Sequence, residues 1–454
     1  MDGHFAAGLW HLAKFIILTQ FMQTMLIMVD MYWVGQMGGR SDPHTGKVAL
    51  AAVGVAGTII WTVMNIAIGI VTGIQAIISR LVGEGRRGEA DRALTQTALM
   101  IALLSTVLGA FGCVFARPLL KIMGPPEEVL KPAVYFMRIV MAGSTFSFLS
   151  FLFTVALQSA GDAKTPFRLA LISISINMAL DPLLIFGLGP LPPLGVGGAA
   201  LATLIAQAVA MFMGLHLLSH GRVGLQLERR LSWPDRALMK DLLYVGVPGS
   251  FRMAAISISE LAMTSLVAPF GTVALAAYTV GMRLRLIPMV VGFGLGRAAG
   301  VLVGQSVGAG KPERGAAQVW LATGLFAAFM AVVGTGYFVL ARPIVFLFNS
   351  DSGVVGEGAV MLRITTLSYF FIGGSLILAK ALEGVGDTRA PMVISILTLF
   401  GVLLPTAYFL SKTMHMGTRG LWAAITISAV LHGLLTFGYF RMGRWKKSRL
   451  STVS

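Results

Sequence analysis

Two decapeptides, LVGEGRRGEA at Leu81–Ala90 and SVGAGKPERG at Ser306–Gly315, decide how this chain is built. Their leading glycines, Gly83 and Gly308, stand 225 residues apart. The same offset relates LQSAGDAKTP at Leu157–Pro166 to LEGVGDTRAP at Leu382–Pro391, and LAAVG at Leu50 to LAAYT at Leu275. Three matches at one spacing mark an internal duplication. A fourth pair, GVGGAALA from Gly195 and GTRGLWAA from Gly417, comes at 222, which a three-residue change in one loop explains.

The stretches between these motifs are apolar runs of membrane-spanning length. With 56% hydrophobic and only 12% charged residues in 454, the chain has too little polar side chain to cover a globule of that size in water, and it needs lipid as its solvent. Twelve spans are predicted, at about 9–36, 48–78, 92–116, 129–158, 165–188, 197–219, 240–268, 273–303, 316–341, 354–383, 390–411 and 418–440. The first is too long for a signal peptide and carries Asp30 near its end, so it reads as a membrane helix.

Six spans per copy is an even number, so the copies run parallel. The expected fold is all-α and integral to the membrane, with twelve transmembrane helices in two six-helix lobes related by a pseudo-two-fold axis along the membrane normal. The expected division is an N-lobe at 1–222, an inter-lobe loop at 223–239 and a C-lobe at 240–454 with a basic tail. A cavity between two such bundles is the usual arrangement for alternating access, which favours a transporter.

The net charge of +16 suggests nucleic acid at first sight. Its Lys and Arg residues lie in short segments between apolar runs, however, and set topology instead. The loops after the even-numbered spans, with Arg441, Arg444, Lys446, Lys447 and Arg449, carry roughly twice the positive charge of the others, which puts both termini in the cytoplasm.

An ionisable side chain inside a membrane helix is costly and marks function by default. Three acids qualify: Asp30 in the first span, Asp181 in the fifth and Glu260 in the seventh. Gln23 and Asp30 are seven apart, two turns on one face; Asn177 and Asp181 are four apart and also share a face. The two faces are expected to meet in one polar pocket, with Thr203 from the sixth span completing it. A carboxyl in low dielectric beside another carboxyl is placed to exchange protons near neutral pH, and Na⁺ could use the same oxygens at Asp30, Asn177 and Asp181. The bland alternative for Gln23, Asn177 and Thr203 is helix-to-helix packing.

Several stretches together resemble one family: VDMYWVGQMG from Val29, LAAVG, GEGRRGEADRA from Gly83, LQSAGDAKTP, INMALDPLLIFG from Ile176 and GGAALAT from Gly197. They are similar to the multidrug and toxic compound extrusion (MATE) transporters, with an N-lobe site most like the DinF-type branch. The resemblance implies two lobes in a V, efflux coupled to inward H⁺ or Na⁺, and a cation-coupling and substrate site at Gln23, Asp30, Asn177, Asp181 and Thr203. It also implies small amphipathic or organic cation substrates, a bacterial inner-membrane location, a monomer and no cofactor.

Three departures matter. Phe15 stands where many members have a proline in the first helix, while the seventh keeps Pro248. Glu260 resembles a C-lobe Na⁺ ligand, but Ile372 occupies the position of its expected partner acid, so a salt bridge to Arg252, Arg283 or Arg285 is the competing reading. Finally, Arg252, Arg283, Arg285, Arg297 and Lys380 are many cations for one lobe. Snorkelling to the interface explains them, and a subset facing a cavity would favour amphipathic or anionic cargo.

H⁺ coupling is preferred over Na⁺, because the N-lobe set is complete and the C-lobe set is not. The alternatives are a lipid-linked precursor flippase of the same superfamily and, from another class, an intramembrane lipid-modifying enzyme. The Gly-rich loops lack GxxxxGK[ST] spacing, and no HExxH, GxSxG or Cys/His cluster occurs, so the chain is not expected to be an enzyme. Cys113 reads as packing, and Trp10, Trp33, Trp61 and Trp422 as interfacial anchors.

Overall fold

Long apolar segments punctuated by glycine and proline leave the backbone one economical solution in lipid, the helix, because each N–H and C=O then pairs within its own segment. The computed structural model describes residues 2–39, 42–187, 192–221, 224–228 and 235–447, and these are helices joined by turns, with no strand among the described residues. Arg449 and part of the inter-lobe loop (223 and 229–234) lie outside them.

The twelve spans are α1 (Asp2–Gly35), α2 (Pro43–Gly83), α3 (Arg87–Val114), α4 (Glu127–Ser159), α5 (Lys164–Phe186), α6 (Val196–Ser219), α7 (Arg236–Val267), α8 (Thr272–Gly308), α9 (Pro312–Val339), α10 (Ser352–Gly384), α11 (Arg389–Thr413) and α12 (Thr418–Arg441). Eleven are continuous; α4 is two helices, Glu127–Ala142 and Ser144–Ser159, bent by 51° at Gly143. A side chain at Gly143 would strike Leu204, so the bend lets α6 approach closely.

The duplication is visible in the backbone. Gly85 and Gly310 both turn with positive φ (77° and 70°), as do Gly161 and Gly386 (97° and 86°), each pair 225 residues apart. That region is open to glycine and strained for other residues. After Gly161, Asp162 Oδ1 accepts from the backbone N–H groups of Lys164 and Thr165 at 3.0 and 2.9 Å; after Gly386, Asp387 Oδ1 accepts from Ala390. A fifth matched pair emerges from the structure: short helices Ala116–Lys121 and Ala341–Phe346, both opening Ala-Arg-Pro and again 225 apart.

Packing divides the chain into two compact units. One comprises Leu18–Ile78 and Arg86–Met239, and the other Met1–Ile17, Ser79–Gly85 and Lys240–Ser454. The start of α1 and the end of α2 pack with the unit that resumes at Lys240. The cause is a stripe on α8, where Gly292, Gly296, Gly300, Gly304 and Gly308 recur every fourth residue. Small residues at this spacing let helix backbones touch, which is how membrane helices associate without a hydrophobic driving force. Gly304 lies against Ser79 of α2, Gly308 against the Arg80 carbonyl and Gly300 against Gly384 of α10, while Gly294 meets Ile17.

A Cβ at Gly384 would collide with the Gly300 carbonyl oxygen. Gly384→Ala is therefore expected to cost about 1–3 kcal/mol of stability, read as a fall in the thermal midpoint in detergent. Gly324→Ala, where nothing stands within 4 Å, should cause no such fall.

Two sequence expectations about tryptophans resolve differently. Trp10 and Trp61 are exposed at 62% each, as surface anchors should be. Trp422 is fully buried: its ring stacks on Tyr278 at 5.9 Å and its Nε1–H donates to Glu357 Oε1 at 2.8 Å. Near the start of α12 it anchors a core instead of an interface, beside Met263, Val267 and Met361.

Candidate functional site

The two acids expected to meet do so within one compact unit. Asp30 stands five residues from the end of α1 and Asp181 five from the end of α5, each about 8 Å along the axis from its terminus. Their carboxyls lie beside each other, close enough to interact directly. A carboxyl–carboxyl hydrogen bond requires a proton on one partner, since two carboxylates offer only acceptors.

Asn177, one turn before Asp181, is fully buried. With its amide nitrogen turned to the acids, it donates to Asp30 Oδ1 at 3.0 Å and to Asp181 Oδ2 at 3.3 Å. Its carbonyl oxygen then accepts from the backbone N–H of Thr203 at 3.0 Å and faces Thr203 Oγ1 at 3.2 Å. One amide thus ties α1, α5 and α6 together. Thr203 Oγ1 also lies 3.1 Å from the Ala199 carbonyl, so its one proton can serve either acceptor.

Asp181 Oδ1 is buried without a hydrogen-bond partner among the described residues. Orphaned buried oxygens are rare and call for an explanation. A proton or a small cation exchanging at this oxygen supplies one.

An apolar cluster closes one end of the site. Val34, Ile185 and Ala199 each lie one turn from Asp30, Asp181 and Thr203, and they pack together with Ala49 and Val196 under Trp33, Met37 and Phe136. Trp33 further contacts Phe186 edge-on at 6.0 Å. Pro182 follows Asp181 within α5 and cannot donate to the Met178 carbonyl, which loosens the helix at the site.

Gln23 is not brought into hydrogen-bond contact with these four residues. It is exposed on α1, two turns before Asp30. Seven residues of spacing put it on the same face but about 10 Å away along the axis. The described residues include no group of three or more His, Cys, Asp or Glu side chains placed to hold a metal ion, so any Na⁺ would rest on two carboxylates and an amide.

In the second unit the predicted set separates. Glu260 pairs with Arg285 at 3.7 Å, in contact with solvent or lipid, with the Glu260 side chain 53% exposed. Arg283 is exposed on α8. Arg252 turns elsewhere: it binds Glu383 of α10 through Nη1 and donates to Ser395 Oγ through Nε at 3.2 Å. Lys380 donates to the other Glu383 oxygen at 2.7 Å, and Arg297 faces the same carboxylate. Ser395 and Thr398 lie one turn apart on α11, and Thr398 Oγ1 meets His432 Nδ1 of α12 at 3.0 Å.

Glu383 was missed by sequence reasoning because it is the last residue of the span predicted at 354–383, and LEGVGDTRAP was used only as a repeat motif. The signal was there: the repeat places it opposite Gln158, so an uncharged position in one half is an acid in the other.

Comparison with known proteins adds an independent line. The family model described as MatE matches residues 16–183 and 248–409. The chain is 29% identical over 441 residues to the probable multidrug resistance protein YoeA of Bacillus subtilis, covering 96% of this chain and 94% of that one. It is 27% identical over 414 residues to the FAD transporter of Shewanella oneidensis, covering 90% and 88%. Its fold matches a crystal structure of MATE in the bent conformation with a TM-score of 0.88, at 22% identity and with 98% and 95% of the two chains covered.

Proposed function

Because this chain belongs to the MatE family of membrane transporters, we propose that it exports organic compounds in exchange for a cation, and that Asp30, Asn177 and Asp181 carry the coupling. It is a transporter and not an enzyme. Two carboxyls both reached by the Asn177 amide, beside an orphaned carboxylate oxygen, are the observation that carries the reading.

Coupling needs a group whose occupancy changes the relative free energy of two conformations, since a ligand shifts an equilibrium only by its differential affinity. Two adjacent carboxylates in low dielectric repel each other and attract a cation. A proton arriving from outside removes the repulsion and weakens the hold on a positively charged cargo, so cargo leaves and the emptied protein returns. Loss of the proton inside restores the charge and the affinity for cargo. Asn177, donating to both acids, reports the state of either one to α6 through Thr203. The apolar cluster of Val34, Ile185 and Ala199 packs one turn away from the acids, toward the C-terminal ends of α1 and α5.

H⁺ is the better fit, because a shared proton needs no coordination sphere and the site offers no third acid to a metal ion. Na⁺ on Asp30, Asn177 and Asp181 is the second reading. The expected location is a bacterial inner membrane, with both termini cytoplasmic. The relative named FAD transporter makes the charge of the cargo a question for this chain as well.

Reconstitution into liposomes with separately imposed gradients tests the proposal. A pH gradient alone should drive accumulation of a fluorescent cationic dye, and a Na⁺ gradient at equal pH should not. If Na⁺ alone drives transport, the coupling ion is Na⁺. Transport indifferent to both gradients overturns coupling altogether.

A further inference from the structure

A cavity of about 260 Å³ opens in the second unit, between the end of α8, the start of α9 and the last turn of α2. It lies at the repeat SVGAGKPERG, which cation coupling does not use. The Lys311 N–H donates to the Ser306 carbonyl at 2.8 Å and closes the turn around Gly310, whose φ is 70°. Lys311 and Arg314 thereby line the cavity together with Gly83, Gln305, Ser306 and Gln318.

Gln318 is the informative residue. It is 4% exposed and its Oε1 accepts from Ser306 Oγ at 3.3 Å, yet its amide nitrogen has no hydrogen-bond partner among the described residues. A donor kept unpaired in so buried a side chain is costly unless something in the cavity accepts from it. Lys311 is exposed, and no ion pair holds it among the described residues. Gln305 and Arg314 are already engaged within the protein. The acids nearby are engaged too and do not line the cavity: Glu84 with Arg80 at 3.3 Å, and Glu313 with Lys446 at 2.7 Å. What the cavity offers a ligand is therefore an ammonium, an amide N–H and the positive end of α9.

The duplication supplies a control. In the matching turn 225 residues earlier, Arg86 stands for Lys311, Glu89 for Arg314, Leu81 for Ser306 and Ala93 for Gln318. There Arg86 donates to Glu89 at 2.6 Å, and Leu81 and Ala93 are buried. The turn folds without a polar cavity, so the polar set of the second half is not a requirement of the repeat.

We propose that this cavity binds a phosphate group, free or carried on a lipid headgroup. Several oxygens on one centre let Lys311, the Gln318 amide and the start of α9 each take one, and a lysine ammonium is a usual phosphate partner. The volume falls below the roughly 300–1,000 Å³ of drug-sized pockets, which suits a single anionic group better than a transported cargo. The turn joins two membrane spans at the lipid–water boundary, where phospholipid phosphates also lie.

The test uses the full chain in a maltoside detergent, which carries no phosphate, and two probes: inorganic phosphate and phosphatidylglycerol added to the micelles. Millimolar phosphate should raise the thermal midpoint above its value in sodium chloride of equal ionic strength. Lys311→Met should weaken the apparent affinity about tenfold, the loss of one charge-assisted contact, and Lys311→Arg should restore most of it. Gln318→Glu keeps the shape and the acceptor for Ser306 but turns the inward donor into a carboxylate, so it should abolish the shift. Arg86→Met, at the matching turn, should change the affinity less than about twofold.

A shift given by inorganic phosphate assigns a free anion, one given only by phosphatidylglycerol a lipid headgroup, and one given by both the phosphate group shared by the two sources. The proposal falls if neither probe shifts the midpoint, if Lys311→Met leaves the shift unchanged, or if Lys311→Met and Arg86→Met weaken it alike. The site does not rest on the coupling reading: Asp181→Asn, in the other unit, should stop gradient-driven transport and leave the phosphate shift unchanged.

Discussion

Asp181→Asn stops gradient-driven efflux while leaving the protein folded. Asparagine has nearly the shape of a protonated aspartate, so at a fully buried position it keeps the packing and resembles the loaded state permanently. What it removes is the change of charge. Coupling free energies between two sites typically run to 1–3 kcal/mol, and their loss should lower the acceleration given by a pH gradient about 5- to 150-fold. Asp30→Asn should do the same, because the two carboxyls share the Asn177 amide donor and act as a unit.

The double variant should therefore be little worse than either single one, since residues acting as a unit are strongly non-additive. The measurement is initial dye flux against the imposed pH difference in proteoliposomes, with yield and thermal midpoint as controls for folding. A flux that keeps its dependence on the gradient in both variants would make these acids structural.

How much of this was legible in the sequence follows from how local each signal is. The turns at Gly85, Gly161, Gly310 and Gly386 could be read because a left-handed glycine and its following Asp-x-[Lys/Arg] or basic cluster lie within ten residues of chain. The meeting of Asp30 with Asp181 was legible because few placements satisfy a buried carboxyl in a membrane helix. Gln23 was harder: periodicity fixes a face but not which neighbours that face has at each depth.

Arg252 shows the same limit over a longer range. Within α7 the nearest acid was Glu260, two turns away on the same helix, yet the partner that captures the arginine is Glu383, 131 positions along the chain. No spacing rule reaches that far. The bend at Gly143 was also invisible, because the sequence 129–158 reads as one apolar run, and only contact with Leu204 of α6 shows why the glycine is there. Trp422 misled for a related reason, since a tryptophan near a helix end is an interfacial anchor only when no neighbour covers it.

Glu383→Gln should be the most destabilising single substitution in the second unit. The carboxylate is 5% exposed and receives both Arg252 and Lys380, so neutralising it takes the counter-charge from two buried cations. Removing one partner of a buried ion pair typically costs about 3–5 kcal/mol. Glu260→Gln is the matched control, because that acid pairs with Arg285 at 3.7 Å with its side chain 53% exposed, and exposed pairs contribute about 0–1 kcal/mol.

Lys380→Met in the Glu383→Gln background should recover part of the loss, because it removes one of the uncompensated charges, and the deviation from additivity measures the Lys380–Glu383 interaction. Thermal unfolding in detergent reads all five proteins: the unsubstituted chain, the two single variants and the double variant of this cycle, and Glu260→Gln. Equal and small losses for Glu383→Gln and Glu260→Gln would mean that Arg252 and Lys380 are neutralised without the Glu383 carboxylate, and would overturn its role as their counter-ion.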